Sequence, residues 1–327
     1  MTAIEMRTAY DLFALQQPQH FDEHGQSLLK IFVSCFELLG NEASDLLNNH
    51  SPVQILEDTF GQVNIKDALE FEVNHPEELQ SLIQRASEFR KTSSTFKNDT
   101  SSRSHAVFQI RVINTAIPAA ENGRLFLIDL AGSERASDAL YHDKSRLKET
   151  QAINKSLMCL KDCIRNRVKA TKEPSKHLHI PYRQSKLTHL LKDAFELESF
   201  RLCKSVVIAC ISPSAVDHSH TVNTLRYAAP IKVAVLNKKV TEFTDPDDPS
   251  GWTNAQLADW VSVKSKNKVN TDILCPFETG LQICRLPEAE FIRRLLQAST
   301  YGEKRAKMFY VELWGLVIDA RTRAREK

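Results

Sequence analysis

Two polar segments of the sequence carry the residue types that handle phosphate groups and Mg²⁺. The first is NDTSSRSH at 98–105, and the second is DLAGSE at 129–134, which directly follows an apolar run. A carboxylate at a strand end can hold Mg²⁺ through water, and a glycine soon after it can bring a backbone N–H to a γ-phosphate. The hydroxyl groups and the arginine of the first segment can supply a metal ligand and a pairing charge. Together the two segments indicate a site for a Mg²⁺-bound phosphate.

The elements around these segments predict an α/β layered fold. The apolar strand LFLID at 125–129 is expected to be central and covered on both faces, with Asp129 at its C-terminal end, where such folds bind ligands. A second buried strand is predicted at 205–211 (SVVIACI). Other predictions are helices at 1–15, 77–89, 146–167, 185–195 and 221–229, strands at 28–39 and 105–113, and short alternating pieces within 53–71.

The charge of the chain is uneven, although the net charge is only +2. Residues 161–193 contain nine lysines and arginines against three acids. A local excess of this size predicts an acidic partner, while a solvated basic face without a partner is the alternative interpretation.

The sequence predicts two domains. Residues 1–238 form the main domain, and 239–251, which contain three acids after Thr244, two prolines and a glycine, form a linker. Residues 252–320 return to helical patterns and are predicted to form a small all-helical domain. Seven cysteines without a CxxC pair indicate reduced thiols, and no apolar run is long enough to span a bilayer, so we expect a cytoplasmic protein.

The two polar segments resemble the nucleotide switches of the kinesin motor superfamily, NxxSSRSH and DLAGSE. The resemblance continues through INKSL at 153–157, PYRQSKLT at 181–188 and NTLRYA at 223–228, and it covers residues 1–235. The segments FELLGNEASDLLN at 36–48 and SSRSHAVFQI at 101–110 are most similar to the internal-motor subfamily, which depolymerises microtubule ends. The resemblance implies a kinesin-type layered motor domain with a central sheet flanked by helices.

The resemblance also implies roles for the matching residues. Asp129 would hold the Mg²⁺ shell through water, and Gly132 would sense the γ-phosphate of ATP. Arg103 and Glu134 would form the ion pair that closes the site, with a plain surface ion pair as the alternative. Asn154 would relay this closure. The nucleotide contacts would be Asn98, Ser101, Ser102, Asp129 and Gly132, with Ser102 and Asp129 serving Mg²⁺.

Kinesins bind microtubules, whose surface is acidic, so the resemblance gives the basic stretch a partner. It implies that the filament-facing residues are Lys161, Arg165, Lys169, Arg183 and Lys186. Binding through such charges should weaken with salt. Nucleic acid is the rival acidic partner, but no aromatic-interleaved reader or zinc-finger pattern accompanies the charges.

The phosphate-gripping motif of kinesins, GxxxxGK[ST], does not occur in the sequence, and none of its nine glycines precedes a lysine. The N-terminal helix resembles the helix that follows this loop, so we expect the first strands and the nucleotide cradle upstream of Met1. The chain is then either a fragment of a working ATPase or a shortened relative that no longer hydrolyses ATP.

The helical domain resembles a sterile alpha motif (SAM) domain, through WTNAQLADWV, GLQICRLPEAEFI and MFYVELWGL. Such domains self-associate or bind a similar partner. The sequence therefore predicts a kinesin-like motor protein without its phosphate loop. The alternative is a non-catalytic microtubule-binding scaffold that recruits a partner through the helical domain.

Overall fold

A computed structural model describes residues 2–16, 21, 24–97, 104–115, 122–132, 144–172, 178–196, 203–229 and 245–326. Contacts divide the chain into two compact units. The first contains residues 1–113 and 122–240, and the second contains residues 114–121 and 241–327. The domain boundaries proposed from the sequence stay a prediction.

Five of the described strands of the first unit form one sheet. They are β1 (Leu29–Leu39), β2 (Glu42–Asp45), β5 (Phe71–Val73), β6 (His105–Asn114) and β7 (Gly123–Asp129). The strand order is β2-β1-β6-β7, and β5 pairs with β1 as well. On β1, β2 pairs with residues 36–39 and β5 pairs with residues 31–33.

A separate antiparallel hairpin consists of β3 (Gln54–Glu57) and β4 (Val63–Lys66). Asp58 organises its turn, since its carboxylate accepts the backbone N–H groups of Phe60 and Gln62 at 2.9 and 2.8 Å. Gly61 in this turn has φ +79°, a left-handed conformation that glycine adopts without strain.

Helices cover both faces of the sheet. α1 (Thr2–Ala14) packs against α2 (Pro76–Lys97), and both helices contribute to a core with β1 and β6. α2 begins with a proline and two glutamates, a favourable first turn because the helix dipole is positive there. On the other face α3 (Lys144–Lys172) packs with the hairpin and with α4 (Lys186–Leu190) and α5 (Lys192–Phe195). A 3₁₀ turn, Tyr182–Gln184, precedes α4, and α6 (His218–Ala228) follows later in the chain.

The predicted strand at 205–211 is wrong. The segment has no strand pairing among the described residues, and its apolar side chains are exposed, Val206 by 88%. A β-branched run forms a strand only where a neighbouring strand supplies hydrogen bonds, and none of the described strands lies beside this segment.

Two smaller predictions also need correction. β7 is an edge strand of the described sheet, pairing only with β6, and its residues are partly exposed instead of covered on both faces. The helix predicted at 185–195 is two short helices, because the chain leaves helical geometry at Leu191. The remaining predicted helices and strands of this unit are confirmed within a few residues of their predicted ends, apart from α2, which extends to Lys97.

The second unit is helical in its described part, as predicted. Its core joins apolar side chains of all five helices, and aromatic rings of Trp260 and Phe309 meet edge to face at 5.2 Å. Thr253 and Thr279 each begin a helix with a capping box. The helices are α7 (Asn254–Ser265), α8 (Thr271–Leu274), α9 (Gly280–Cys284), α10 (Glu288–Ala298) and α11 (Glu303–Glu326). None of the helices described in either unit is apolar and long enough to cross a bilayer.

Candidate functional site

Asp129 ends β7, as the sequence predicts, and it is the first residue of the candidate nucleotide site. Its side chain is half-exposed, and its Oδ2 atom accepts a hydrogen bond from Arg90 Nη1 at 2.9 Å. Ala131 and Gly132 follow in irregular backbone. The carboxylate therefore reaches solvent while a cation from α2 holds one of its oxygens.

Arg90 is a residue of this site that the sequence analysis missed. It is 9% exposed, and its Nη2 atom donates to the Ser104 carbonyl at 2.6 Å. The Ser104 hydroxyl in turn donates to Glu37 on β1 at 2.8 Å. One guanidinium thus joins α2, the start of β6 and the end of β7.

A sequence signal for Arg90 did exist. The buried face of α2 contains Leu79, Ile83 and Ala86, and the next position on that face is 90. A charged residue on a buried helix face needs a partner, so its position alone indicated a buried ion pair.

His105 connects the end of β7 to α3. Its Nδ1 atom accepts the backbone N–H of Ala131 at 3.0 Å, so Nε2 carries the proton and donates to Ser156 Oγ at 2.8 Å. The Ser156 hydroxyl in turn donates a hydrogen bond to the Ile153 carbonyl at 2.7 Å. Burial lowers the pKa of His105 to about 4, and the positive charge of Arg90 adds to the effect. The imidazole is therefore neutral at physiological pH.

The structure brings together only part of the predicted switch site. Asp129 ends β7 and Gly132 lies in the irregular backbone after it, and between them the backbone N–H of Ala131 donates to His105 Nδ1. The nucleotide roles of Asp129 and Gly132 stay predictions. Asn154 is exposed on α3, whereas the contact from the β7 end to α3 is made by Ser156. Five predicted site residues lie outside the described part of the chain: Asn98, Ser101, Ser102, Arg103 and Glu134.

Mg²⁺ and ATP fit this site only in part. Asp129 is a hard oxygen ligand that could join the Mg²⁺ shell, and the backbone near Gly132 could approach a phosphate. The described residues do not form the lysine-and-amide cradle that grips the other phosphates, and the sequence contains no GxxxxGK[ST] motif. We therefore derive no hydrolysis step from these residues.

The predicted filament-facing residues of α3 form one stripe. Lys161, Arg165 and Lys169 follow each other at four-residue spacing, which places them on one helix face. Arg165 and Lys169 are exposed and Lys161 is partly buried, while Leu160 and Cys163 belong to the core beneath. We call these three residues the α3 stripe.

Lys186 and Arg183 lie in the segment after α3. Lys186 is partly exposed at the start of α4, so it remains available to an acidic partner. Arg183 is exposed, but its guanidinium donates two hydrogen bonds to the Glu57 carboxylate, at 3.0 and 2.9 Å. Both residues were predicted to face the filament, but Arg183 pairs with a carboxylate on the same chain and has different surroundings from Lys186.

Comparison with known proteins agrees with this fold. The structure resembles the motor domain of kinesin-like protein Kar3 from Saccharomyces cerevisiae with a TM-score of 0.54 and 31% identity, over 70% of this chain and 66% of that chain. A structure of the Kar3Vik1 motor and motor homology domain matches with a TM-score of 0.57 and 30% identity, over 71% of this chain and 58% of that chain. The fold is thus that of kinesin motor domains.

Sequence similarity leads to the same class. The kinesin motor domain family model matches residues 2–233. Diatom spindle kinesin-1 of Cylindrotheca fusiformis is 40% identical over 232 residues, covering 71% of this chain and 34% of that protein. Kinesin-like protein KIN-13B of Arabidopsis thaliana is 38% identical over 237 residues, covering 71% and 33%. The chain belongs to the kinesin motor domain family, and it spans about a third of the length of these relatives.

Proposed function

We propose that this chain is a microtubule-binding part of a kinesin-like motor protein, with the α3 stripe and Lys186 facing the filament. The observation that carries the proposal is the orientation of α3. Its apolar side packs in the core, and the opposite side presents the basic residues to solvent within a region that matches the kinesin family model. Membership of this family supports an acidic filament as the partner and a cytoskeletal location.

Reversing the charge of the α3 stripe is expected to weaken microtubule binding. In the variant Lys161→Glu, Arg165→Glu, Lys169→Glu, the loss of attraction should lower the affinity at least about tenfold at low salt. Co-sedimentation of the full chain with microtubules measures the effect.

The matched control is Lys30→Glu, Arg85→Glu, Lys91→Glu, which changes the net charge equally. These three exposed residues lie on β1 and on α2, and α2 packs on the sheet face opposite α3. Their reversal should reduce the affinity much less than reversal of the stripe. Equal losses in the two triple variants would mean that binding follows net charge and that α3 is not the filament face.

The proposed activity includes ATP-dependent movement along microtubules or their depolymerisation, as the family resemblance implies. Similarity to KIN-13B supports the internal-motor assignment, which stays a proposal.

The alternative is a nucleotide-independent microtubule-binding scaffold. The hydrogen bond from Arg90 to the Asp129 carboxylate favours this alternative, because it occupies an oxygen that would otherwise serve Mg²⁺. If Mg²⁺–ATP changes the amount of chain that co-sediments with microtubules, the motor proposal is supported. If the amount of chain that co-sediments is the same with and without Mg²⁺–ATP, the scaffold proposal is supported.

The helical unit is proposed to associate with a second copy of itself, as the SAM-like sequence implies. The outer side of α11 supports this, because Met308, Val311 and Ile318 are exposed there at helical spacing. Val311→Glu should shift the full chain to monomer in light scattering coupled to size exclusion. Ile273→Glu, an exposed position on α8, should leave the mass unchanged. A wild-type monomer at high concentration would contradict self-association.

A further inference from the structure

Three basic side chains, from a segment more than a hundred residues further along the chain, contact the carboxylate of Glu57: Arg183, His189 and Lys192. Glu57 ends β3, and its carboxylate accepts two hydrogen bonds from Arg183 and one from Lys192 Nζ at 2.8 Å. His189 Nε2 lies 3.3 Å from Glu57 Oε2. The side chain of Glu57 is only 15% exposed, so its contacts with Lys192 and His189 are partly shielded from water, whereas Arg183 reaches it from the exposed side.

Lys192 is the most deeply buried of these three basic side chains, with 5% of it exposed. Besides Glu57, its ammonium donates to the Gly61 carbonyl at 2.5 Å, and Glu196 lies 3.5 Å away. A Cβ atom at position 61 would come within 2.9 Å of the Lys192 ammonium. The absence of a side chain at position 61 therefore leaves room for the Lys192 ammonium beside the turn of the β3–β4 hairpin.

The pKa shifts of the cluster agree with its hydrogen bonds. Burial alone would raise the pKa of Glu57, but hydrogen bonds from Arg183 and Lys192 outweigh it and bring the pKa to about 2. The hydrogen bond from Arg183 to Glu57 raises the pKa of Arg183. Glu57 and Arg183 thus stabilise each other's charged forms and remain ionised throughout the physiological pH range.

We infer that Glu57 is a positioning residue that fixes the β3–β4 hairpin to residues 182–192, and that Arg183 serves this attachment instead of contacting the filament. The inference deepens the proposed function and rests on it for its effect on microtubules. Residues 182–192 include Lys186, so the attachment sets the orientation of a proposed filament contact. A partly buried carboxylate, far along the chain from the α3 stripe, would then control the geometry of part of the basic surface.

The direction in which Glu57→Gln changes microtubule affinity separates a positioning role from simple charge attraction. Glu57→Gln removes a negative charge close to the basic surface, so attraction alone predicts tighter binding to an acidic filament. Positioning predicts weaker binding, because the hairpin and residues 182–192 lose their common anchor. We expect Glu57→Gln to lower microtubule affinity about tenfold while the salt dependence of binding stays close to that of the wild type.

The test uses the full chain and four variants: Glu57→Gln, Arg183→Ala, their double mutant and Lys186→Ala. Amide hydrogen exchange of residues 54–66, measured without microtubules, reports the attachment directly. Both single substitutions should speed this exchange, and the double mutant should add little beyond Glu57→Gln, because the two residues share one interaction. Lys186→Ala should leave the hairpin exchange unchanged and reduce the salt dependence of microtubule binding.

Each contrary outcome has a distinct meaning. Unchanged hairpin exchange in Glu57→Gln would overturn the attachment. Faster exchange with unchanged or tighter microtubule binding would overturn its role in positioning the filament face. Failure of the wild type to bind microtubules would overturn the proposed function, and with it that filament role, whereas the exchange data would still decide the attachment itself. If Glu57→Gln fails to fold, the double variant Glu57→Gln, Lys192→Met also removes the buried ammonium that has lost one of its two carboxylate partners, and the same exchange measurement applies to it.

Discussion

Replacing Arg90 with methionine is expected to destabilise the first unit by about 2–4 kcal/mol, because the buried Ser104 carbonyl and the Asp129 carboxylate lose a charged donor. Methionine keeps most of the packing of the side chain, so the loss reports mainly on the hydrogen bonds. The free energy of unfolding in urea, compared with that of the wild type, measures the effect.

Arg85→Met is the control for this substitution. Arg85 lies on the same helix, is exposed, and has its guanidinium over the Phe71 ring at 5.2 Å. An exposed contact of this kind contributes about 0.5–1 kcal/mol, so the control should lose much less stability than Arg90→Met. A similar loss in the two variants would show that the Arg90 network adds no stability beyond the general effect of replacing an arginine on α2.

The buried imidazole of His105 is expected to make the stability of the first unit depend on pH between about 6.5 and 4. The folded state lowers the pKa of His105 to about 4, so the unfolded chain takes up a proton in this interval and the folded chain does not. Stability from this residue is fully present above pH 6.5 and is lost as the pH falls toward 4. A shift of this size corresponds to about 3 kcal/mol.

The measurement for His105 is the free energy of unfolding at several pH values for the wild type and for His105→Gln. Glutamine can accept from Ala131 and donate to Ser156, as the neutral imidazole does, but it does not titrate. The difference between the two proteins should change by about 3 kcal/mol across the interval and remain constant above it. A difference that stays constant from pH 7 to 4 would contradict a neutral, buried His105.

Much of the fold could be predicted because strong local patterns determined it. β1 and β6 are long apolar strands, and α3 has a regular apolar face, so periodicity alone placed them. The segment at 205–211 shows the limit of this reasoning. Its composition is that of a buried strand, but pairing depends on a neighbour distant in sequence, which composition does not reveal.

The candidate site was predictable to a smaller extent. Asp129 and Gly132 could be proposed from the sequence because strand-end carboxylates and nearby glycines have a known chemical use. Arg90 and Ser156 were missed because each acts through a contact to a residue remote along the chain. Arg183 and Lys186 are three residues apart and chemically similar, yet only the first pairs with Glu57. Charge counts give the sign of a surface, whereas folding decides which charges are already paired.

Co-sedimentation of the wild-type chain with microtubules over a range of salt concentrations most directly tests the central claim that a basic surface of this chain binds the filament. We expect saturable binding at low salt, with log affinity falling linearly as log salt concentration rises, because exposed lysines and arginines make the contact. Absence of binding at low salt, or binding that does not change with salt, would contradict the claim.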